Sequence, residues 1–252
     1  MAEHVAPRGF VHPFCLAQAQ TLLSGVQPAP VALHACNRAN ARYPVGVRAG
    51  LGLVARSDDP DDDQASIPRF YAYRIVGRLA DGREIAWSLA NHGGSSDFSD
   101  LLLMRRLPAG GGETMLRATP LIHGGDRCAG GLVSVRLDAG SLLVVRRATP
   151  AGLMRAAGLG IALRARLPDG VRCCVAELSY RVAMAPRITP RLVSARLLPG
   201  AGRAPAGQRA DAAWGCLSRA LDAAGDGAVL DAHALTRMGQ QVRSCLAGVA
   251  AP

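Results

Sequence analysis

The sequence contains no lysine: all 29 of its basic side chains are arginine, against 19 acidic ones, for a formal charge of +10. GC-rich coding accounts for an arginine-only basic set. The sharper reading is binding to nucleic acid or to an anionic surface, with the doublets Arg105-Arg106 and Arg146-Arg147 as its candidates. The arginines are scattered over every expected strand, however. No run of them alternates with aromatics as a single-strand-binding face requires, which disfavours specific nucleic-acid recognition. Aromatic residues are also scarce, at 4%, so any core must be built from Leu, Val and Ala. A hydrophobic share of 49% excludes wholesale disorder.

Long apolar runs are missing too. None approaches the roughly 20 residues that cross a bilayer. The segment Met1–Phe10 lacks the basic and apolar regions of a signal peptide, so the chain is either cytoplasmic or has lost a signal. Motifs for phosphate loops, dinucleotide fingerprints and nucleophile elbows are absent. There is no C-x-x-C, and no histidine stands at zinc spacing from a cysteine, so neither a metal nor a cofactor is expected.

What the sequence does contain is hairpin grammar. Apolar residues alternate along Tyr71, Tyr73 and Ile75 and again along Ile85, Trp87 and Leu89, the period of strands. A three-residue loop, Ala80-Asp81-Gly82 with Gly82 at positive φ, would pair Leu79 with Arg83 and Arg78 with Glu84. Tyr73, Ile75, Leu79, Ile85, Trp87 and Leu89 would then share one face. The pattern recurs at Leu132–Leu137 and Ser141–Arg146 around Asp138-Ala139-Gly140, with Val133, Val135 and Leu137 on a face with Leu143 and Val145. It recurs again at 161–167 and 171–182 around Pro168-Asp169-Gly170.

Along the rest of the chain, Phe14–Leu23 reads as a helix, 30–36 as a short strand, and 42–56 as a strand pair. Leu101–Leu107, Thr114–Ile122 and Arg191–Leu198 read as further strands. Thr149-Pro150 fits an N-cap followed by proline at the first helical position. Two amphipathic helices close the chain. One carries Trp214, Leu217 and Leu221 on a face; the other, capped by Asp231, carries Leu235, Met238, Val242 and Leu246. Five Asp crowd residues 57–63, but without EF-hand spacing or its glycine, so a solvated loop is expected there.

Two polar, glycine-rich stretches are the candidate sites: 91–100, with His92 and Asp97, and 123–131, with His123 and Asp126. A hydrolase would use one of these histidines with one of these aspartates, provided the two loops meet in a pocket. The four glycines of the second stretch imply close approach of something, and a disulfide-anchored turn is the simpler explanation.

The seven cysteines fall into couples: Cys216 with Cys245 on the two last helices, Cys15 with Cys36 around the first, and Cys128 with either Cys173 or Cys174. Disulfides would favour an oxidising compartment; the alternative is a set of reduced, buried thiols.

Three segments carry a resemblance: Ala90–Phe98, Gly124–Gly131 followed by Thr149-Pro150, and the terminal Cys216-to-Cys245 stretch. Together they resemble secreted or periplasmic proteobacterial proteins of unknown function, over about half the chain. The resemblance implies an exported, disulfide-bonded protein and carries over no catalytic residue.

The expected fold is therefore α+β: an antiparallel sheet core arranged as a sandwich or meander of hairpins, with an N-terminal helix and a C-terminal helical hairpin. Residues 1–198 would form the mainly β domain, 199–207 a linker and 208–252 the helical hairpin packed on it. The expected function is non-enzymatic: a disulfide-stabilised periplasmic or secreted protein that binds or shields a partner, such as an envelope protein or an anionic surface. The alternatives are the hydrolase above and a cytoplasmic arginine-rich module binding an anionic polymer.

Overall fold

The computed structural model of the protein describes residues 10–20, 29–57, 69–93, 95–138, 140–161, 167, 174–184, 189–203 and 212–249. The expected Asp-rich loop at 58–63, the expected turn Pro168-Asp169-Gly170, Cys173 and the linker beyond Arg203 lie outside these residues. The fold is α+β, with two antiparallel sheets of seven and five strands. The chain divides into two compact units, 1–123 and 124–252. This division falls inside the segment read as one β domain, and it assigns the last helices to the second unit.

In the first unit a curled sheet runs in meander order: β2 (Val45–Arg48), β3 (Gly52–Arg56), β4 (Phe70–Arg78), β5 (Glu84–Asn91), β6 (Phe98–Pro108) and β7 (Thr114–Asp126). The short β1 (Val31–Ala32) pairs on the far side of β7. Helices α1 (Pro13–Gln20) and α2 (Leu33–Ala39) pack on it. Their buried Phe14, Leu16 and Leu33 share a core with Tyr71, Tyr73, Leu102, Met104 and Leu116. Where a strand was expected over 30–36, two residues are extended and the rest begin α2. The Cys15–Cys36 disulfide joins α1 to α2.

The lead hairpin turns as expected. Gly82 has φ 81°, Leu79 N–H donates to the Arg83 carbonyl at 2.8 Å, and Arg78 lies opposite Glu84. Farther from the turn the faces differ from the sequence reading. A bulge between Ile75 and Gly77 sets Tyr73 opposite Ser88 and Arg74 opposite Trp87. Trp87 and Leu89 therefore lie on the face away from Tyr73, and the Arg74 guanidinium stacks 4.5 Å from the Trp87 ring centre. The bulge shifts the strand by one residue. That brings both tyrosines to the helical side, where Tyr73 donates to the Val11 carbonyl at 2.7 Å and Tyr71 to Gln20 Oε1 at 2.5 Å.

His12, 2% exposed, fastens the start of α1. Its Nδ1 accepts from the Phe14 N–H at 3.2 Å and its Nε2 lies 3.1 Å from the Tyr43 carbonyl, an arrangement that suits the neutral ring. Burial lowers its pKa below the ordinary 6.5, against the opposing pull of the Tyr43 carbonyl. Unfolded chains then bind more protons than folded ones just below pH 6.5. His12 thus contributes stability that is full above that pH and lost as the pH falls toward the lowered folded value. Urea midpoints should rise between pH 5.5 and 7.5, and His12→Asn should flatten that rise; an equal slope in the variant would remove the assignment.

The second unit is a meander of β8 (Leu132–Asp138), β9 (Ser141–Ala148), β10 (Ala176–Ala183), β11 (Thr189–Leu197) and β12 (Val229–Asp231). The β8–β9 turn is shorter by one than expected, because Asp138 pairs directly with Ser141. Val135 and Leu137 therefore face Val144 and Leu142, not Val145 and Leu143. This register leaves Leu142 and Val144 only 0% and 1% exposed. Strand β10 pairs with β9 and β11, so both its edges are taken and residues 176–182 do not form the hairpin expected with 161–167. The strand expected over Arg191–Leu198 is β11, and a short β12, absent from the sequence reading, pairs on its far edge.

Helix α3 (Pro150–Ala156) starts as read, with Thr149 Oγ1 accepting from the Gly152 N–H at 3.0 Å. Helices α4 (Ala212–Ala224) and α5 (Ala232–Val249) are separated by β12 rather than joined as a simple hairpin. Asp231 caps α5 through the Ala234 N–H at 2.7 Å. Trp214, Leu217, Leu221, Leu235, Met238, Val242 and Leu246 are all buried in one core with Leu153 and Met154 of α3. Gly239 lets α5 approach the Ala157 carbonyl, where any Cβ would collide.

Candidate functional site

The stretch 91–100 leaves the sheet only between β5 and β6, and 98–100 already belong to β6. Asn91 organises it: its Oδ1 accepts from the Gly93 N–H at 2.8 Å and its Nδ2 donates to Asp97 Oδ1 at 2.9 Å. This is turn chemistry that occupies Asp97. His92 is exposed. Beside the turn lies an open cleft of about 750 Å3 whose wall includes Arg48, Arg56, Arg69, Asn91 and Asp97.

His123 ends the first unit and meets a different aspartate from either one proposed. Its Nδ1 lies 3.5 Å from Asp100 Oδ1. Gln20 Nε2 donates to Asp100 Oδ2 at 2.7 Å, and Gln20 in turn accepts from the Tyr71 hydroxyl. Burial pushes the Tyr71 phenol far above its ordinary value, so Tyr71 remains a donor at every working pH. The array runs from a fully buried phenol to an imidazole whose side chain is 66% exposed. An ion pair so open to water holds little energy. Asp100 was visible in the sequence only as the end of a polar loop. Asp100 lies within β6 and His123 within β7, neighbouring strands of the sheet, whereas Asp97 lies before β6 begins.

The second stretch is strand through Asp126, not loop. A tight turn follows, with Arg127 at φ 43°. Ala129 N–H donates to the Asp126 carbonyl and Gly131 N–H to the Arg127 carbonyl, each at 2.8 Å. Asp126 is buried at 3%, with Arg127 Nε 3.8 Å from its carboxylate, and it belongs to the second unit. The Cys128–Cys174 disulfide fixes the turn, selecting Cys174 from the two candidates. The close approach implied by the glycines is internal. A Cβ on Gly125 would strike the Ala129 carbonyl, and one on Gly131 the Arg127 backbone.

This turn forms one wall of a pocket of about 370 Å3 within the second unit, also lined by Arg146, Arg155, Thr149, Leu178 and Tyr180. Arg146 stands directly across from Leu178 in the β9–β10 ladder, and its Nε donates to the Gly130 carbonyl at 3.1 Å. Burial raises the Tyr180 phenol above its ordinary value, while the charges of Arg146 and Arg155 pull it down. Arg146, Arg155 and Tyr180 line the same pocket. The Arg146-Arg147 doublet was the signal for this site in the sequence; its association with Arg155 and Tyr180 was not legible there.

Among the described residues, no group of three or more His, Cys, Asp or Glu is placed to hold a metal ion. No described helix is long and apolar enough to cross a membrane. No family model, curated protein or solved structure matches the chain.

Proposed function

We propose that the chain is a non-enzymatic, exported protein, stabilised by disulfides, that binds a partner outside the cytosol. The observation that carries this reading is the set of three bridges: Cys15–Cys36 in the first unit, and Cys128–Cys174 and Cys216–Cys245 in the second. Each pair has its Cα atoms 4.8–5.8 Å apart, the separation a disulfide needs. Reducing cytosol does not maintain such bridges, whereas the periplasm and the extracellular space do. Binding rather than catalysis is favoured because the candidate acids are engaged in turns and hydrogen bonds, while each unit offers an arginine-lined concavity.

Peptide mapping with thiol alkylation, on protein recovered from its native host, tests the proposal. The expected result is three mapped bridges with Cys173 as the one alkylated thiol. Seven alkylated cysteines would overturn it and return the chain to the cytosol.

A further inference from the structure

The bridge between the last two helices differs from that of the first unit in what surrounds its sulfurs. Cys15 and Cys36 are both buried, with the Asn40 amide within 3.6 Å and 3.3 Å of their sulfurs. Cys216 of α4 is also buried, in the core of the second unit. Its partner Cys245 of α5 lies at the margin of that core and is only partly covered. Of the two sulfurs, a reagent in solution therefore meets that of Cys245.

Arg219 stands three residues after Cys216 on α4, close to one turn on and so on the same face. Its side chain is exposed along the stem, but its head turns onto the bridge. One terminal nitrogen donates to Cys245 Sγ at 2.8 Å and to Cys216 Sγ at 3.7 Å. A guanidinium against both sulfurs bears directly on disulfide chemistry. Exchange begins when a thiolate attacks one sulfur and the other departs as a thiolate. With attack at Cys245, the departing sulfur is the buried one, where burial opposes the negative charge. A fixed cation beside it offsets that cost and makes the thiol the better leaving group.

We propose that Cys216–Cys245 is a thiol–disulfide exchange site opened by a dithiol, with Arg219 stabilising the departing thiolate. The first thiolate of the dithiol bonds to Cys245 Sγ, the Sγ–Sγ bond breaks, and the electron pair leaves on Cys216. The second thiolate of the dithiol then attacks its partner sulfur in this mixed disulfide, closing the dithiol into its own disulfide and releasing Cys245. Two electrons pass from the dithiol to the bridge, and its two protons end on Cys216 and Cys245. Helices α4 and α5 share the core that holds Trp214, Leu217, Leu235 and Val242, so opening removes a cross-link without dismantling their packing. The proposal rests on the disulfide reading above and adds that this bridge is exchanged while Cys15–Cys36 is static.

The test is timed reduction of the oxidised full chain by dithiothreitol at neutral pH, with alkylation at intervals and peptide mapping. Cys216–Cys245 is expected to open before Cys15–Cys36. Arg219→Gln should slow its opening about 3- to 10-fold, the effect of removing one cation from the leaving thiolate. Arg219→Lys keeps the charge and should recover most of the rate. Raising the salt from about 0.1 M to about 1 M should slow the parent chain more than Arg219→Gln, because only the parent has the charge to screen. The proposal is overturned if Cys15–Cys36 opens first or together with this bridge. It is equally overturned if Arg219→Gln opens as fast as the parent, or faster, as it would were Arg219 a mere cover over the sulfurs. Mapping on protein from the native host separates this from export. Three bridges with a slow Cys216–Cys245 would remove the exchange site and leave export. Seven free thiols there, with rapid Arg219-dependent opening of the bridge after oxidation in vitro, would do the reverse.

Discussion

Replacing Cys15 and Cys36 together by Ala is expected to cost the first unit about 3 kcal/mol of unfolding free energy. The bridge closes a separation of 21 residues, and cross-linking at that length removes about that much chain entropy from the unfolded state. Packing adds to the loss, because Cys15 is fully buried in the core shared by α1, α2 and the sheet. The adjoining Asn40 side chain, which donates to the Cys36 carbonyl at 3.0 Å, would lose contact with both sulfurs. The chain offers a convenient readout, because its two tryptophans fall one in each unit: Trp87 in the first and Trp214 in the second. Urea unfolding of Trp87-only and Trp214-only versions should show the shift at Trp87. A shift below about 1 kcal/mol there would mean the bridge is not a staple of this unit. Bridges spanning separations of 29 and 46 residues in the second unit follow the same logic, at about 4 kcal/mol each by chain entropy.

Gly125→Ala should destabilise the second unit by about 3 kcal/mol or more, far beyond the effect of a typical added methyl. The new Cβ would lie on the carbonyl of Ala129, and a backbone group cannot rotate away as a side chain can. Nor can the turn retreat as a whole. It is closed by the Ala129-to-Asp126 and Gly131-to-Arg127 hydrogen bonds and tethered through Cys128 to Cys174. Gly160→Ala is the control, since a Cβ there meets nothing within 4 Å. The Trp214 unfolding transition should move for the first variant and stay for the second. Equal behaviour of the two would contradict the packing of this turn.

Local chemistry explains which parts of this fold could be read in advance. A cap is a contact between near neighbours, so Thr149 and Asp231 announced the starts of α3 and α5. A buried helix face repeats every turn, so Trp214, Leu217 and Leu221, and Leu235, Met238, Val242 and Leu246, could be named from spacing alone. Cysteines close in sequence on successive elements, such as Cys15 and Cys36 or Cys216 and Cys245, have few other partners. The failures share a cause as well. The bulge at Val76 exists because the Tyr71 and Tyr73 hydroxyls find partners on and before α1, more than 50 residues away in sequence. The β8–β9 register was set by burying Leu142 and Val144 rather than the equally apolar Leu143 and Val145, a choice that alternation cannot make within a continuous apolar run.

The candidate sites divide along the same line. Composition established a basic, lysine-free chain with cysteines enough for three bridges, and turn chemistry marked the two glycine-rich stretches. It did not pair His123 with Asp100, because strand neighbours are fixed by the sheet and not by proximity in sequence. Nor did it gather Arg146, Arg155 and Tyr180, which lie on β9, α3 and β10 and converge only when the meander closes. The sequence by itself determined the caps, the buried faces of the last two helices and most of the strands, since each is settled by interactions within a few residues, and it narrowed the cysteine couples without fixing Cys128's partner. Tertiary structure alone decided strand register, the division at residue 123 and the membership of the pocket. Those depend on which of several equally apolar faces is buried, and that free energy exists only once the distant elements have packed.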